Sequence, residues 1–443
     1  MEKKNLTVNN SIVRIVGVFE QNVTKNKFKS KLGASGFKRT EENDPTSFHK
    51  NYWYPEFRDM FFLQKNETSS KIYTKYPGVK IDFLVRNNQS TSINETLRVE
   101  IGKIELFTFK DGLNLFAIEV SINQKELSYY SDLTYVIRDF YRKVMDNGKE
   151  YDWVNWIEEF CLCGVKISSK SEEKNVKVDD YSGSKFKLYT ILDIEEELDD
   201  RTREELLYDV GCVAPIGSAG SNGMLTPSKE YYKELMKNKI SVFSNYEILP
   251  LFDSCTAIGK NILDAAQSLN QEKTKTWSES YFRIYLYNLF IKFNLFRYNS
   301  ELMNDSEEIR DKFEEFINTY NLSHLSYHFL PNKIFHQHRE SLEIDSELKK
   351  FQQRVNKINQ SIQEKQQKRT NLLITIFTII TSISSITPIW SFLQGLKSSL
   401  EWSNSLFYGS ISIILIIVGV PVISYLFPEK TKKIIRQWKN RKN

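Results

Sequence analysis

The sequence predicts an α+β domain, followed by a long stalk helix and a two-helix transmembrane hairpin. Three observations predict this order: strand-like alternation early in the chain, a heptad repeat before residue 370, and two charge-free runs near the C-terminus. The length of 443 residues exceeds what one hydrophobic core usually serves. A content of 40% hydrophobic and 13% aromatic residues excludes a mainly disordered chain.

Residues 1–340 are predicted to form a cytosolic α+β domain, because strand patterns come first and helical patterns dominate later. The strands are expected at Ser11–Phe19, at Ile81–Val85, in a hairpin of Val99–Phe109 and Leu113–Ile122 turning on Asp111-Gly112, and at Lys185–Ile191. The helices are expected at Ser131–Met145, Trp153–Phe160, Arg203–Val210, Tyr231–Lys237, Tyr281–Tyr298 and Glu307–Tyr320. Linkers are expected at Ser168–Ser184 and Gly211–Ser228.

A stalk helix is predicted over residues 341–370. Apolar residues there follow spacings of four and three, which is the pattern of a coiled-coil seam. The seam is Ile344, Leu348, Phe351, Val355, Ile358 and Ile362. Such a helix would transmit movement, and a passive spacer is the alternative.

Two charge-free runs, Leu372–Leu393 and Ser405–Phe427, each match the roughly 20 residues that span a bilayer. Their outer flanks are basic, including the tail 428–443, whereas the loop between them holds little charge. By the positive-inside rule both termini face the cytoplasm. The sequence therefore predicts a multi-pass protein of a bacterial inner membrane.

One face of the first run carries polar side chains at spacings of four and three. These are Asn371, Thr375, Thr378, Ser382 and Ser385. A polar stripe at membrane depth must face protein or water, and one hairpin cannot enclose water. The stripe predicts a pore lined by several copies of the chain, and hydrogen bonding between packed helices is the alternative.

A ligand site is suggested by aromatic rings beside a guanidinium, an arrangement that suits a nucleobase and a phosphate. These side chains are Tyr52, Trp53, Tyr54 and Arg58. Packing of the rings in the core is the alternative.

A second ligand site is suggested by the glycine-rich stretch that includes Gly217, Gly220 and Gly223, where backbone amides could approach a phosphate. It lacks the Lys and Ser/Thr of a Walker loop, so a plain flexible loop is the alternative.

No enzyme or metal site is predicted. His324 and His328 lie four residues apart, but HLSYH lacks the Glu of a metalloprotease helix. The four cysteines show no CxxC spacing, and no nucleophile elbow or kinase motif is present.

The order of soluble domain, stalk, polar helix, short loop, apolar helix and basic tail resembles the CorA family of pentameric magnesium channels, over Leu342–Asn443. Members carry Gly-Met-Asn after the first membrane helix, where this chain reads Gly395-Leu396-Lys397 at the pore entrance. A ring of lysines would repel a divalent cation. Magnesium transport is therefore the alternative function.

The chain looks like a divergent CorA-like branch, the membrane effectors of type III CRISPR antiviral systems. This resemblance implies a homopentameric channel in the lipid bilayer that opens when a nucleotide second messenger, such as an S-adenosylmethionine–AMP (SAM-AMP) conjugate, binds the cytosolic domain. The implied partners are further copies of the chain, the bilayer and the small nucleotide, with no direct nucleic-acid contact. A membrane-anchored scaffold without a pore is the third hypothesis.

Overall fold

The computed structural model describes residues 6–20, 25–39, 51–63, 70–85, 96–109, 113–165, 167, 185–220, 226–263, 275–301 and 306–400, and residues 403, 405, 408, 409 and 412 beyond them. Contacts divide the chain into two units, Met1–Gln352 and Gln353–Asn443.

Within the described residues, one mixed sheet of 12 strands organises the first unit. Its strands are β1 (Val8–Glu20), β2 (Lys38–Arg39), β3 (Lys71–Lys75), β4 (Val79–Leu84), β5 (Thr96–Thr108), β6 (Leu113–Ser121), β7 (Lys143–Asp146), β8 (Lys149–Asp152), β9 (Lys187–Ile194), β10 (Ile240–Phe243), β11 (Tyr246–Pro250) and β12 (Ser254–Gly259). The order is β10-β11-β12-β9-β1-β6-β5-β4-β7-β8, with β3 beside β5 and β2 beside β3. The pair β12–β9 is parallel, whereas β1 pairs antiparallel with both β6 and β9.

The helices follow the same numbering along the chain. They are α1 (Lys25–Ala34), α2 (Pro55–Arg58), α3 (Leu127–Ile137), α4 (Trp153–Trp156), α5 (Asp200–Gly211), α6 (Lys229–Met236), α7 (Phe282–Glu301), α8 (Ser306–Tyr320), α9 (Phe329–Ser341) and α10 (Ile344–Leu400). Wider π-helical turns follow α2 and α4 and precede α7, at Asp59–Leu63, Ile157–Cys161 and Thr276–Tyr281.

The predicted hairpin of Val99–Phe109 and Leu113–Ile122 is confirmed as β5 and β6, which pair antiparallel with Ile104 opposite Ile118. Its predicted turn, Asp111-Gly112, lies outside the described residues. Alternating apolar side chains set this register, because one face of each strand packs in the core.

The predicted helix Ser131–Met145 is wrong in its last part, where Lys143–Asp146 forms β7. Asn147 and Gly148 both have positive φ, 49° and 79°, and join β7 to β8. Asn-Gly is the residue pair that a tight hairpin turn with two positive φ values favours. Pairing of β7 with β4 then overrides the local helical periodicity.

The predicted change from an early sheet to a late helical bundle is also wrong, since β10, β11 and β12 extend the sheet through residues 240–259. These strands are four to six residues long. A short apolar run cannot be assigned to a strand by periodicity alone.

Helices α7 and α5 cover opposite faces of the sheet. Tyr189 of β9 lies opposite Cys255 of β12, and the Tyr189 ring packs 5.1 Å from the Phe282 ring of α7. The next residue on β12, Thr256, has its Oγ1 3.8 Å from the Cβ position of Gly211 in α5. Successive strand residues point to opposite faces, so the two helices enclose the sheet between them.

The predicted coiled-coil seam begins inside the first unit. Ile344, Leu348 and Phe351 are buried there, and the Phe351 ring lies 4.0 Å from the Phe313 ring of α8. Lys292 of α7 donates from Nζ to the Leu342 carbonyl at 2.8 Å. The first two turns of α10 therefore pack on their own domain, and their seam positions are occupied without a second chain.

The predicted transmembrane hairpin, and with it the multi-pass protein of the inner membrane, is contradicted. Within the part of the chain that the structure describes, every helix is too short or too polar to cross a bilayer. The run Leu372–Leu393 lacks charge but is diluted by Thr, Ser and Pro388, and it continues at both ends into the 57-residue helix α10. Most of the second run, 405–427, and all of the tail, 428–443, lie outside the described residues.

Replacing Gly259 by Ala is expected to lower the free energy of unfolding by about 1–3 kcal/mol, as overpacking does. The added Cβ would collide with the Asn245 carbonyl oxygen and with Tyr246. Gly102→Ala is the matched strand control, because its nearest neighbours lie 3.9 Å away. Urea unfolding followed by circular dichroism measures both variants, and equal midpoints would contradict the packing of the end of β12 against the β10–β11 turn.

Candidate functional site

A cavity of about 760 Å³ opens where β2, β3 and β5 meet the beginning of α7. That volume lies within the range of small-molecule pockets. The side chains that give it its chemistry are five cations, Lys38, Arg39, Lys75, Lys103 and Arg283, and two carboxylates, Glu105 and Glu279. We call this the cationic pocket.

Strand register brings the lysines together from three separate segments. Lys38 of β2 lies opposite Thr74, and Lys75 of β3 lies opposite Ile104, the residue after Lys103 on β5. Neither Lys38 nor Lys75 forms an ion pair with a carboxylate in the described ranges. Their positive charge is therefore available to a ligand.

Arg283 forms the inner wall of the cationic pocket from the first turn of α7. The residue is 7% exposed, and its guanidinium lies 4.7 Å from the centre of the Phe107 ring. Its Nη2 donates to Glu105 at 3.2 Å, whereas Nε and Nη1 are buried and have no hydrogen-bond partner in the part of the chain that the structure describes. A buried guanidinium with unmet donors is costly, and an anion is the group that would satisfy it.

Glu105 fixes Arg283 in place. Its carboxylate lies 3.2 Å from Arg283, 3.1 Å from Lys103 and 3.4 Å from Arg14, and its side chain is 3% exposed. Burial alone would raise the pKa of Glu105, but the attraction of Arg283, Lys103 and Arg14 outweighs burial and lowers the pKa to about 2. The carboxylate stays ionised, and the surrounding cations still outnumber it.

Arg14 supports this network from β1. Its Nε and Nη2 donate to Glu119 at 2.8 and 2.6 Å, across the β1–β6 pair in which the two residues lie opposite each other. Its Nη1 donates to the Ser278 carbonyl at 2.7 Å. Arg14 thereby ties the sheet to the π-helical turn that precedes α7.

Aromatic side chains complete the cationic pocket. Tyr76 is 73% exposed at its rim, and Phe62 contributes an apolar wall. A planar ring of a ligand would find a stacking face on Tyr76 close to the cations. The pocket thus pairs positive charge with an aromatic surface.

The aromatic segment predicted from the sequence lies behind this wall. Trp53 is fully buried and stacks on Phe62, with ring centres 5.6 Å apart. The predicted ligand-facing rings of Tyr52 and Tyr54 pack on His328 and Tyr327, at 4.4 and 4.3 Å, and Arg58 pairs with Asp59 at 2.9 Å. These side chains have protein partners, and among them Trp53 supports a pocket residue.

The glycine-rich loop binds an anion that belongs to the protein. The buried carboxylate of Asp209 accepts hydrogen bonds from the amides of Gly217, at 2.7 Å, and Ala219, at 2.9 Å. Gly217 has a φ of 96°, which favours glycine. Gly220 is exposed beside this arrangement, and Gly223 lies outside the described residues.

The residues predicted to line a pore, and those predicted to form its entrance, all belong to α10. Thr375 and Thr378 donate from Oγ1 to the carbonyls of Asn371 and Ile374, both at 2.8 Å. Ser382 and Ser385 belong to the same helix. The predicted pore-entrance loop of Gly395, Leu396 and Lys397 is instead helical, since α10 continues to Leu400.

Sequence reasoning missed the cationic pocket because its charged residues come from four distant segments. A signal was nevertheless present: Arg283 interrupts the apolar stretch FRIYLYNLF, and Glu105 interrupts the apolar strand around it. Charged residues are almost never fully buried unless they are paired. Two such residues of opposite charge predict a buried ion pair. They do not predict where on the protein a pocket opens beside that pair.

No family model, curated protein or solved structure matches the chain. The resemblance to CorA-like proteins therefore rests on the order of the sequence features, and the described geometry is the basis for the functional argument.

Glu105→Gln is expected to reduce the dependence of stability on pH. A carboxylate with a pKa of about 2 when folded and 4.5 when unfolded contributes stability that is fully present above pH 4.5 and is lost as the pH falls toward 2. The contribution is about 3 kcal/mol at neutral pH. Urea unfolding at pH 6 and pH 3 should show a smaller decrease for Glu105→Gln than for the wild type.

The control for this experiment is Glu100→Gln, on the same strand, because Glu100 is half-exposed and pairs loosely with Lys80 at 3.6 Å. It should retain the wild-type pH dependence. A Glu105→Gln variant with the full wild-type decrease would contradict the buried network.

Proposed function

We propose that this chain is a sensor that binds a phosphorylated small molecule of the nucleotide class in the cationic pocket. The observation that carries the proposal is Arg283, a buried guanidinium with two donors that no group among the described residues satisfies. Buried polar groups in proteins are usually hydrogen-bonded, and Glu105 reaches Nη2 of Arg283 but neither Nε nor Nη1, so these two nitrogens call for an acceptor from a ligand.

Charge and shape favour a nucleotide over a simple anion. The five cations exceed the two carboxylates of the cationic pocket by three charges, which suits a phosphate ester. The exposed ring of Tyr76 offers a stacking surface for a base. A nucleotide is also the ligand class that the sequence suggested. The proposed contacts, however, are residues of the cationic pocket and not the Tyr52–Arg58 segment or the glycine-rich stretch.

Contacts along α7 support a sensor rather than a simple carrier. Arg283 lies on the first turn of α7, and Lys292 on the same helix bonds to Glu347 of α10 at 2.6 Å. A ligand held by Arg283 would therefore act on a rigid element that also anchors the long helix.

The proposal predicts that ATP and pyrophosphate bind the wild-type protein, as measured by isothermal titration calorimetry. Arg283→Met should weaken ATP binding at least about tenfold, since a charge-assisted bond to phosphate is lost. Arg98→Met is the matched control, because Arg98 is an exposed arginine that pairs with Asp82 at 2.8 Å on the same sheet. It should bind ATP as the wild type does.

A second variant separates binding from folding. Lys38 and Lys75 lack an ion pair among the described residues, so the double replacement Lys38→Gln and Lys75→Gln should keep the wild-type unfolding midpoint and still weaken ATP binding. Binding that is unchanged in both Arg283→Met and the double variant would overturn the proposed function.

A further inference from the structure

We infer that Glu279 makes the cationic pocket selective for ribonucleotides, by accepting hydrogen bonds from the ribose hydroxyls of the ligand. This inference rests on the proposed function and adds a specificity-determining residue to it. Glu279 lines the same cavity as Arg283 and precedes it by four residues.

Glu279 differs from the other carboxylate of the cationic pocket. Glu105 is committed to three cations, whereas Glu279 forms no ion pair or side-chain hydrogen bond with the described residues. It is partly exposed in a site that is otherwise rich in positive charge. An uncommitted carboxylate beside cations can accept bonds from hydroxyl groups while the cations hold a phosphate.

The backbone directly before Glu279 is held at two successive carbonyls. The Trp277 carbonyl accepts a hydrogen bond from the Tyr189 hydroxyl at 2.7 Å, and the Ser278 carbonyl accepts one from Arg14 at 2.7 Å. Glu279 follows directly, on a π-helical turn of the type that often occurs at functional sites. A fixed backbone lowers the cost of holding the carboxylate in one position.

The exposed ring of Tyr76 lies at the rim of the same cavity that Glu279 lines. Tyr76, Glu279 and Arg283 all line this one cavity. A base on Tyr76, a phosphate near Arg283 and a ribose near Glu279 match the three parts of a nucleotide.

The test compares ATP with 2′,3′-dideoxy-ATP, which has the same base and phosphates but lacks both ribose hydroxyls. The wild type should bind ATP at least about tenfold more tightly, because a hydrogen bond to a charged acceptor discriminates to that extent. In Glu279→Leu this ratio should fall close to one. Pyrophosphate, which has no ribose, should bind Glu279→Leu at least as tightly as the wild type.

Glu100→Leu is the matched control and should keep the wild-type ratio, since Glu100 lies outside the cationic pocket. If ATP and dideoxy-ATP bind the wild type equally, or if Glu279→Leu keeps the wild-type ratio, the role of Glu279 is overturned and the proposed function stands. If none of the three compounds binds the wild type, both the proposed function and this inference fail.

Discussion

The buried carboxylate of Glu105 is the constraint on which the cationic pocket depends. It lies among Arg14, Lys103 and Arg283, which come from β1, β5 and α7, so one charge joins the sheet to the helix that covers it. Removing a partner from a buried pair leaves a charge without compensation. The same carboxylate satisfies only one nitrogen of Arg283, and this leaves the positive potential of the pocket in place.

Helix α7, which begins at the cationic pocket, is attached both to the sheet and to α10. The turn before α7 is bonded to β1 and β9 through the Ser278 and Trp277 carbonyls, and the middle of α7 holds α10 through Lys292. The hydrogen bonds to the Ser278 and Trp277 carbonyls and the bond of Lys292 to α10 are all buried or half-buried. Hydrogen bonds in such surroundings contribute more than those on an exposed surface. A ligand at the beginning of α7 thus meets an element that is already rigid.

The glycine-rich loop and the tyrosine–tryptophan segment show how a correct chemical reading can point to the wrong partner. Backbone amides around Gly217 do bind an anion, but the anion is the buried Asp209 carboxylate. The Trp53 ring does stack, but on Phe62 of the same chain. Local sequence predicts which groups seek an anion or a ring, and the three-dimensional arrangement determines whether the protein supplies it.

The sequence alone determined the elements whose signal is local. The β5–β6 hairpin follows from its alternation, and α5, α7 and α8 follow from helical periodicity. Only the tertiary structure decided that short strands near residue 250 extend the sheet, that α10 continues through Lys397, and that Lys38, Lys75, Lys103 and Arg283 converge on one cavity. The physical reason is that strand pairing and charge clustering are contacts between distant segments, whereas periodicity reports only how one segment meets its immediate surroundings.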